Sequence, residues 1–330
     1  MKKDNLILGI ETSCDETSVS VVKNGREVLT CEIATSIPLH QETKGVVPEV
    51  AARAQVEAMI PVLDRALKNA KLELKNIDKI AVTEGLGLIG SLLVGISTAN
   101  MLSLTMKIPV VGVPHIWGHM YANFLDNDEE IQFPVLVLTV SGGHNDLYLW
   151  EGHWKFKKLG GTLDDAAGEA FDKCGRLLGL DYPAGREISE LSKRGDKDAF
   201  KFPRSMINSG DYNFSFSGLK TAFLYTLEKI KKIDDKTKCD LAASLQEAIV
   251  ETLWKKVEKA LKEFDVKEVH LSGGVSANKR LKEFFDNNLK DKIFRYPKNI
   301  KYCTDNAAMI ACCAYFCDFP KDFVSPKLQY

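Results

Sequence analysis

The sequence predicts an α/β protein of two similar lobes with a cleft between them. Three observations predict it. A meander of short apolar strands opens the chain, LILGIETSCDETSVSVVKNGREVLTCEIAT, and the plan returns from residue 134 as PVLVLTVSGGHNDLYLWEGHWKFKKLG. Helical patterns follow each copy. At 330 residues the chain is longer than one compact core accommodates, so two domains are expected.

The first meander reads as strand, polar turn, strand, Asn24–Gly25 turn, strand, all antiparallel. A helix follows from Pro48, PEVAARAQVEAMIPVLDRALKNA, then the short strand KIAVTEG. Residues 85–106 carry no charge and have the length of a membrane span. They also hold Gly87, Gly90, Ser91, Gly95, Ser97, Thr98, Asn100 and Ser103, which suits a buried helix packed closely through its small residues. The second copy is followed by LDDAAGEAFDKCGRLLGL, FSGLKTAFLYTLEKIKK and LAASLQEAIVETLWKKVEKALKEF, the last leading into the strand KEVHLSGG. Lobe I is expected over residues 1–130 and lobe II over 131–303. A C-terminal helix opened by Asp305, within about 304–330, returns to lobe I.

Composition narrows the class. Hydrophobic content of 45% and charged content of 27% are those of a soluble globular enzyme. A net charge of −1 provides no global attraction for nucleic acid, so any such binding needs a local patch. Candidate patches are Lys193, Arg194, Lys197, Lys201 and Arg204, then Lys229, Lys231 and Lys232; solvated helix faces explain them equally. The eight cysteines include no C-x-x-C pair, and the apolar run at the N-terminus stops at Glu11, too early for a signal sequence. The expectation is reduced thiols in a cytoplasmic protein. Cys303, Cys312, Cys313 and Cys317 cluster, as a second metal site or as small buried helix residues.

Four groups of residues carry chemistry. His115 and His119, four apart on a helix, share a face and can reach one ion. Ile116 and Trp117 stand where H-E-x-x-H needs its glutamate, so the zinc-protease pattern and its general base are absent. A third ligand must come from elsewhere, and Asp305 is a candidate, with a plain helix-N-terminal acid as the alternative. Second, two apolar strands run into Ser-Gly-Gly, at Ser141–Gly142–Gly143 and Ser272–Gly273–Gly274. Such loops let backbone N–H groups approach an anion without a Cβ in the way. No G-x-x-x-x-G-K-[ST] occurs, which excludes a P-loop NTPase. Asn278 either bonds a base or ribose or caps the next helix. Third, Asp164, Asp165, Glu169 and Asp172 put carboxylates near one helix face, for Mg²⁺, for ribose hydroxyls or for the helix dipole. Fourth, Glu11, Asp15 and Glu16 make the first turn acidic.

These motifs occur in an order similar to one known family. IETSCDETSVSVV, GVVPEVAAR, GSLLVGISTA, H-x-x-x-H, SGGH, DDAAGEAFDK, LLGLDYP, FSFSGLKTA, LSGGVSAN and CTDNAAMIA together resemble the bacterial-type tRNA N6-adenosine threonylcarbamoyltransferases, from Ile7 to about Ala314. The resemblance implies two ribonuclease-H-like lobes of the actin, sugar-kinase and heat-shock ATPase superfamily. It implies transfer of threonylcarbamoyl from L-threonylcarbamoyl-AMP to N6 of the adenosine 3′ of the anticodon, in tRNAs reading codons that begin with A. His115, His119 and Asp305 would hold one iron or zinc ion. Thr139, Val140, Ser141, Gly142 and Gly143 would line the nucleotide, with Asp172, Gly185 and Asn278 on ribose and base and Mg²⁺ as a further companion of the nucleotide. Glu11 and Asp15 are the candidates for the base that activates N6.

Partners implied by the resemblance are tRNA, a non-catalytic paralogue and a small P-loop ATPase, or a second copy of the chain; no membrane is expected. The sequence departs from the family pattern at Gln55, where a histidine is usual, at Leu86, at Asn145 and at Ala184–Gly185–Arg186. Gln55 is expected on a partner or substrate surface. Two rivals share the fold. A sugar or acetate kinase needs no histidine pair, and a scaffolding paralogue is expected to lack one.

Overall fold

The computed structural model describes residues 4–36, 47–289, 291–317 and 319–327. Gly45 and Val46 of the GVVPEVAAR motif lie outside the described residues. The chain divides into two compact units, residues 1–130 with 297–330, and residues 131–296.

The first unit is a five-stranded sheet in the order β3-β2-β1-β4-β5. Its strands are β1 (Leu6–Glu11), β2 (Glu16–Lys23), β3 (Glu27–Thr35), β4 (Lys79–Gly85) and β5 (Val110–Pro114). β1, β2 and β3 form the antiparallel meander, while β4 and β5 add in parallel beside β1. Burial follows the apolar pattern. β1, β4 and β5 are buried almost throughout, as strands covered on both faces must be, whereas β3 is partly exposed.

Helices α1 (Pro48–Ala70) and α2 (Ile89–Met106) pack on each other. α2 is the charge-free stretch, and it is not wholly buried. Ser91, Gly95, Ala99 and Ser103, spaced by four, form its packed seam, and a Cβ on Gly95 would collide with the Thr12 hydroxyl. Leu92, Ile96 and Leu102 are buried beside that seam, but Leu104 is 83% exposed and Ile89, Leu93 and Met101 about half exposed. Small residues permit close approach on one side only, so the apolar residues opposite stay in solvent. By length and composition α2 passes for a membrane span.

The second unit repeats the topology. Its strands are β6 (Val135–Val140), β7 (Asn145–Gly152), β8 (Lys155–Gly161), β9 (Glu268–Ser272) and β10 (Ile293–Arg295), in the order β10-β9-β6-β7-β8. Again an antiparallel meander, β6-β7-β8, accepts a parallel strand, β9, on its first member, and β10 adds in parallel to β9. Helices α4 (Ala167–Leu177), α5 (Gly185–Ser192), α6 (Ser217–Glu228), α7 (Asp235–Glu263) and α8 (Lys279–Asn288) belong to this unit. α7 is the core helix, with Leu241, Leu245, Ile249, Leu253 and Val257 buried.

Candidate metal centre and nucleotide loops

β5 ends at Pro114 and α3 (His115–Tyr121) begins at the next residue. His115 and His119 therefore sit on consecutive turns of one buried helix, their rings 4.7 Å apart and nearly perpendicular. The third residue arrives with α9 (Ala307–Tyr315). Two glycines let α9 approach. A Cβ on Gly9 of β1 would collide with the Ala307 carbonyl, and one on Gly118 of α3 would lie 2.6 Å from Ile310 Cδ1. The Ala307 N–H donates to Ser18 Oγ at 2.9 Å.

Asn306, not Asp305, caps α9: its side chain accepts from the Met309 N–H at 3.1 Å. Asp305 is thereby not the cap, and its Oδ1 lies 3.1 Å from His119 Nε2 and 3.5 Å from His115 Nε2. Both His119 ring nitrogens are buried without a hydrogen bond of acceptable geometry, despite that approach. A buried imidazole left in this state is costly unless something else satisfies it. The ligand atoms of the three residues lie within 4.8 Å of one another, and they form the one such group of His, Cys, Asp and Glu among the described residues. Ligand bonds of about 2.0–2.1 Å to a tetrahedral ion put donors roughly 3.3 Å apart, so the donor set fits a metal. The clustered cysteines do not form a ligand group. Cys303, Cys312, Cys313 and Cys317 are buried, and burial pushes the Cys313 thiol well above its usual value.

Behind His115 stands Glu11, which the sequence suggested as a base. Its carboxylate is fully buried and already engaged. Oε1 accepts the Ser13 N–H at 2.6 Å; Oε2 accepts the Thr83 hydroxyl and lies 3.2 Å from His115 Nδ1. Burial pushes the Glu11 carboxyl up, but His115 more than reverses this and holds it below the usual range. Burial pushes His115 down, and Asp305 and Glu11 reverse it, to about 9 in the absence of an ion. Burial, then the charges of Asp305, Asp15 and Glu11, push the Glu16 carboxyl well above its usual range. Asp15 is half-buried in the same turn, and its carbonyl accepts from the Ser36 N–H and hydroxyl.

Gln55 is not on a surface. It is 1% exposed, and its amide donates to the carbonyls of Cys14 and Glu16, both at 3.0 Å. It lies on the buried side of α1 and ties the β1–β2 turn to that helix. The sequence marks neither Thr83 nor Ser13 as a site residue. Ser13 belongs to the IETSCDE motif, whereas nothing local marks Thr83.

In the second unit the two Ser-Gly-Gly loops leave neighbouring parallel strands. Thr139 of β6 pairs in register with Ser272 of β9, and their hydroxyls lie 2.8 Å apart. The first loop closes as a tight turn, the Ser141 N–H donating to the His144 carbonyl at 2.8 Å. Cβ atoms on Gly142, Gly143 or Gly274 would meet nothing within 4 Å, so backbone is exposed there. The N-terminus of α4 abuts this loop, since a Cβ on Gly168 would lie 2.5 Å from the Ser141 carbonyl oxygen. Gly273 has φ of +81°, the left-handed region where glycine is favoured.

The other expected nucleotide residues are engaged within the fold. Asp172 accepts the Ala184 N–H at 2.8 Å beside Gly185, and burial raises its carboxyl. Asn278 caps α8 by accepting the Leu281 N–H at 3.0 Å and donates to Gln246 Oε1 at 2.7 Å. Val140 is buried. Asp164 is no free Mg²⁺ ligand: it accepts from the hydroxyls of Ser215 and Ser217 and the Phe216 N–H. Asp165 is paired with Lys173. Of the candidate cations, Lys193, Arg194, Lys197 and Arg204 are held by Glu190, Asp235, Glu247 and Glu251. Lys201, Lys229, Lys231 and Lys232 are exposed and make no ion pair among the described residues.

Two units of one five-stranded topology, one bearing two buried histidines beside a partly exposed carboxylate, define the class: a two-lobed protein of the actin, sugar-kinase and heat-shock ATPase type with a candidate metal centre. HypF of T. kodakarensis has this fold, matching 95% of this chain and 47% of its own at 16% identity and a TM-score of 0.62. The family of tRNA N6-adenosine threonylcarbamoyltransferases matches residues 27–312. Proteins of that name from Carboxydothermus hydrogenoformans and Bacillus subtilis are 49% and 46% identical, each over 313 residues, covering 94% of this chain and 91% and 90% of theirs. The chain belongs to the tRNA N6-adenosine threonylcarbamoyltransferase family.

Proposed function

We propose that the protein transfers the threonylcarbamoyl group of L-threonylcarbamoyl-AMP to N6 of the adenosine 3′ of the anticodon in tRNAs reading codons that begin with A, releasing AMP. The observation that carries this reading is the group made by buried His115 and His119 with the partly exposed Asp305, in a chain of this family. Those three residues would hold one iron or zinc ion. Bound there, the ion supplies Lewis acidity toward the carbamoyl and phosphate oxygens.

The remaining work falls to this chain's own groups. In the loop Ser141–Gly142–Gly143, where the His144 carbonyl takes the Ser141 N–H, the N–H groups of Gly142 and Gly143 bind the AMP phosphate with that of Gly274, beside the N-terminus of α4. Thr139 and Val140 fix the first loop at the end of β6. Asp172, Gly185 and Asn278 line the ribose and base, Asn278 with the amide hydrogen that its bond to Gln246 leaves over. Mg²⁺ would accompany the nucleotide rather than bind Asp164 or Asp165, which are spoken for. Glu11 is too enclosed to reach N6, which leaves Asp15 as the candidate base.

Lys201, and Lys229, Lys231 and Lys232 just after α6, suit the tRNA backbone. The exposed Val56 and Ile60 of α1 with Ile89 and Leu93 of α2 suit an apolar partner, a paralogue or a second copy. A small ATPase as third component, and a cytoplasmic site of action, follow from the same reading.

The test is a transfer assay. Purified protein, threonylcarbamoyl-AMP and unmodified tRNA are combined with and without paralogue and ATPase, and nucleosides are read by mass spectrometry. Threonylcarbamoyladenosine is expected from the wild type and none from His115→Ala. No product with cognate partners and added metal would sink the reading.

A further inference from the structure

The Glu11 carboxylate touches a candidate metal ligand and is buried away from solvent. We propose that Glu11 is the positioning residue of the metal centre, holding His115 as its Nδ1–H tautomer so that Nε2 presents its lone pair to the ion. This rests on the reading of His115, His119 and Asp305 as ligands.

Donor bookkeeping carries the argument. Around Glu11 stand the Ser13 N–H, which can only donate, the Thr83 hydroxyl and His115 Nδ1. A carboxylate accepts from all three, and its Oε2, facing Nδ1 at 3.2 Å, calls for a hydrogen there. Ser13 Oγ, also 3.2 Å from Nδ1, is a second acceptor for that hydrogen. With Nδ1 protonated, the lone pair of the neutral ring lies on Nε2, the nitrogen directed at Asp305 Oδ1. His119 has no such partner: its Nδ1 is buried and unbonded. The two histidines are therefore unequal, one aimed by a carboxylate and the other by packing alone. Ligating imidazoles commonly donate their second N–H to a carboxylate, and loss of that partner costs roughly 10–100-fold in metal affinity.

Three elements hold the carboxylate in place. Glu11 ends β1, Thr83 lies on the adjacent parallel strand β4, and Ser13 starts the turn that Gln55 ties to α1. An amide at position 11 has a single acceptor for the three donors. His115 then gains by giving up the Nδ1 hydrogen, which puts a hydrogen on Nε2 in the path of the ion.

The experiment measures Zn²⁺ affinity of the metal-stripped full chain by competition with a chromophoric chelator. Wild type, Glu11→Gln and His115→Ala are compared, with thermal melts confirming folding. Glu11→Gln is expected to bind one ion roughly 10–100-fold more weakly, and His115→Ala to lose the site. A folded Glu11→Gln with wild-type affinity overturns the proposal. If His115→Ala also binds as wild type does, it is the metal-centre reading that has failed. Should Glu11→Gln not fold, ¹⁵N shifts of the zinc-loaded wild type decide. Nε2 metallated with hydrogen on Nδ1 supports the proposal, and the reverse overturns it.

Discussion

The two units share a strand order and connect it in the same way, yet they prepare for ligands by opposite means. In the first unit, side chains make the site. His115 and His119 are buried, Asp305 is delivered by a helix that two glycines admit, and Glu11 backs the first histidine. In the second unit, the backbone makes the proposed one. Gly142, Gly143 and Gly274 have empty space where a Cβ would stand, at the ends of two parallel strands. One topology thus carries an enclosed donor set, sensitive to each atom, and a stretch of open backbone, the proposed anion cradle, sensitive to added bulk. Glycine has opposite meanings in the two: on β1 and α3 it permits packing, and after β6 it keeps a surface bare.

The comparison breaks first at the metal centre if side chains are not what matters there. His119→Ala is expected to abolish metal binding and to lower transfer by more than the roughly 100-fold that loss of an outer-sphere partner costs. Metal content by mass spectrometry and product by nucleoside analysis check this together. A metal-replete His119→Ala with normal turnover would mean that the ion, if any, sits elsewhere.

The fold was legible because the meander and the buried parallel strands have distinct patterns. Val135–Leu138 and Ile80–Val82 are continuous apolar runs, and the helix from Pro48 ends at Ala70 as its motif does. Geometry between distant segments was not legible. His115 and His119 signal each other through local spacing, but Asp305 reads as a helix cap until Asn306 is seen to occupy that role. Glu11 reads as an acid in a polar turn until Thr83 and Ser13 close over it. Gln55 sits in an amphipathic helix with no mark of which face is inward. Asn278 left two readings open, and the structure satisfies the cap while leaving one amide hydrogen. Hydrogen-bond partners far apart in sequence leave no periodic trace, so the supporting residues of a site are the last to be read.

A second contrast lies at matched positions of the two sheets. The first paired residue of β4 is Lys79, whose ammonium bonds the carbonyls of Ala314 and Cys317 where α9 ends. The first paired residue of β9 is Glu268, wholly buried, accepting from His270 Nε2 at 2.8 Å, Arg295 Nε at 2.7 Å and the Gln132 N–H at 2.8 Å. Burial alone would raise this carboxyl, but the donors win and hold it at about 2. A depressed carboxyl stabilises the fold above its unfolded value near 4.3, and this is lost as pH falls toward 2. The contribution at neutral pH is about 3 kcal/mol. His270, which burial holds below its usual value, adds a loss of the same sign as pH falls. Urea unfolding at pH 5 and pH 3 is expected to show a smaller stability loss in Glu268→Gln than in the wild type. Equal losses would remove Glu268 from the account.

The smallest effects distinguish the two kinds of glycine within one site. Gly168→Ala must move either the Ser141 carbonyl or the start of α4, because its Cβ would stand 2.5 Å from that oxygen. Overpacking against backbone costs roughly 1–3 kcal/mol, readable as a lowered urea midpoint. Gly142→Ala meets nothing within 4 Å, so its stability should change by no more than about 0.5 kcal/mol. Its methyl group intrudes where an anion would sit, and AMP affinity should fall about tenfold, the worth of one charge-assisted hydrogen bond of roughly 1.5 kcal/mol. Calorimetry with AMP separates the cases. Gly168→Ala should lose stability first and affinity as a consequence, and Gly142→Ala should lose affinity alone. If Gly142→Ala binds AMP as tightly as the wild type, the exposed backbone after β6 is not the phosphate cradle. The open half of the comparison would then fall while the enclosed half stood.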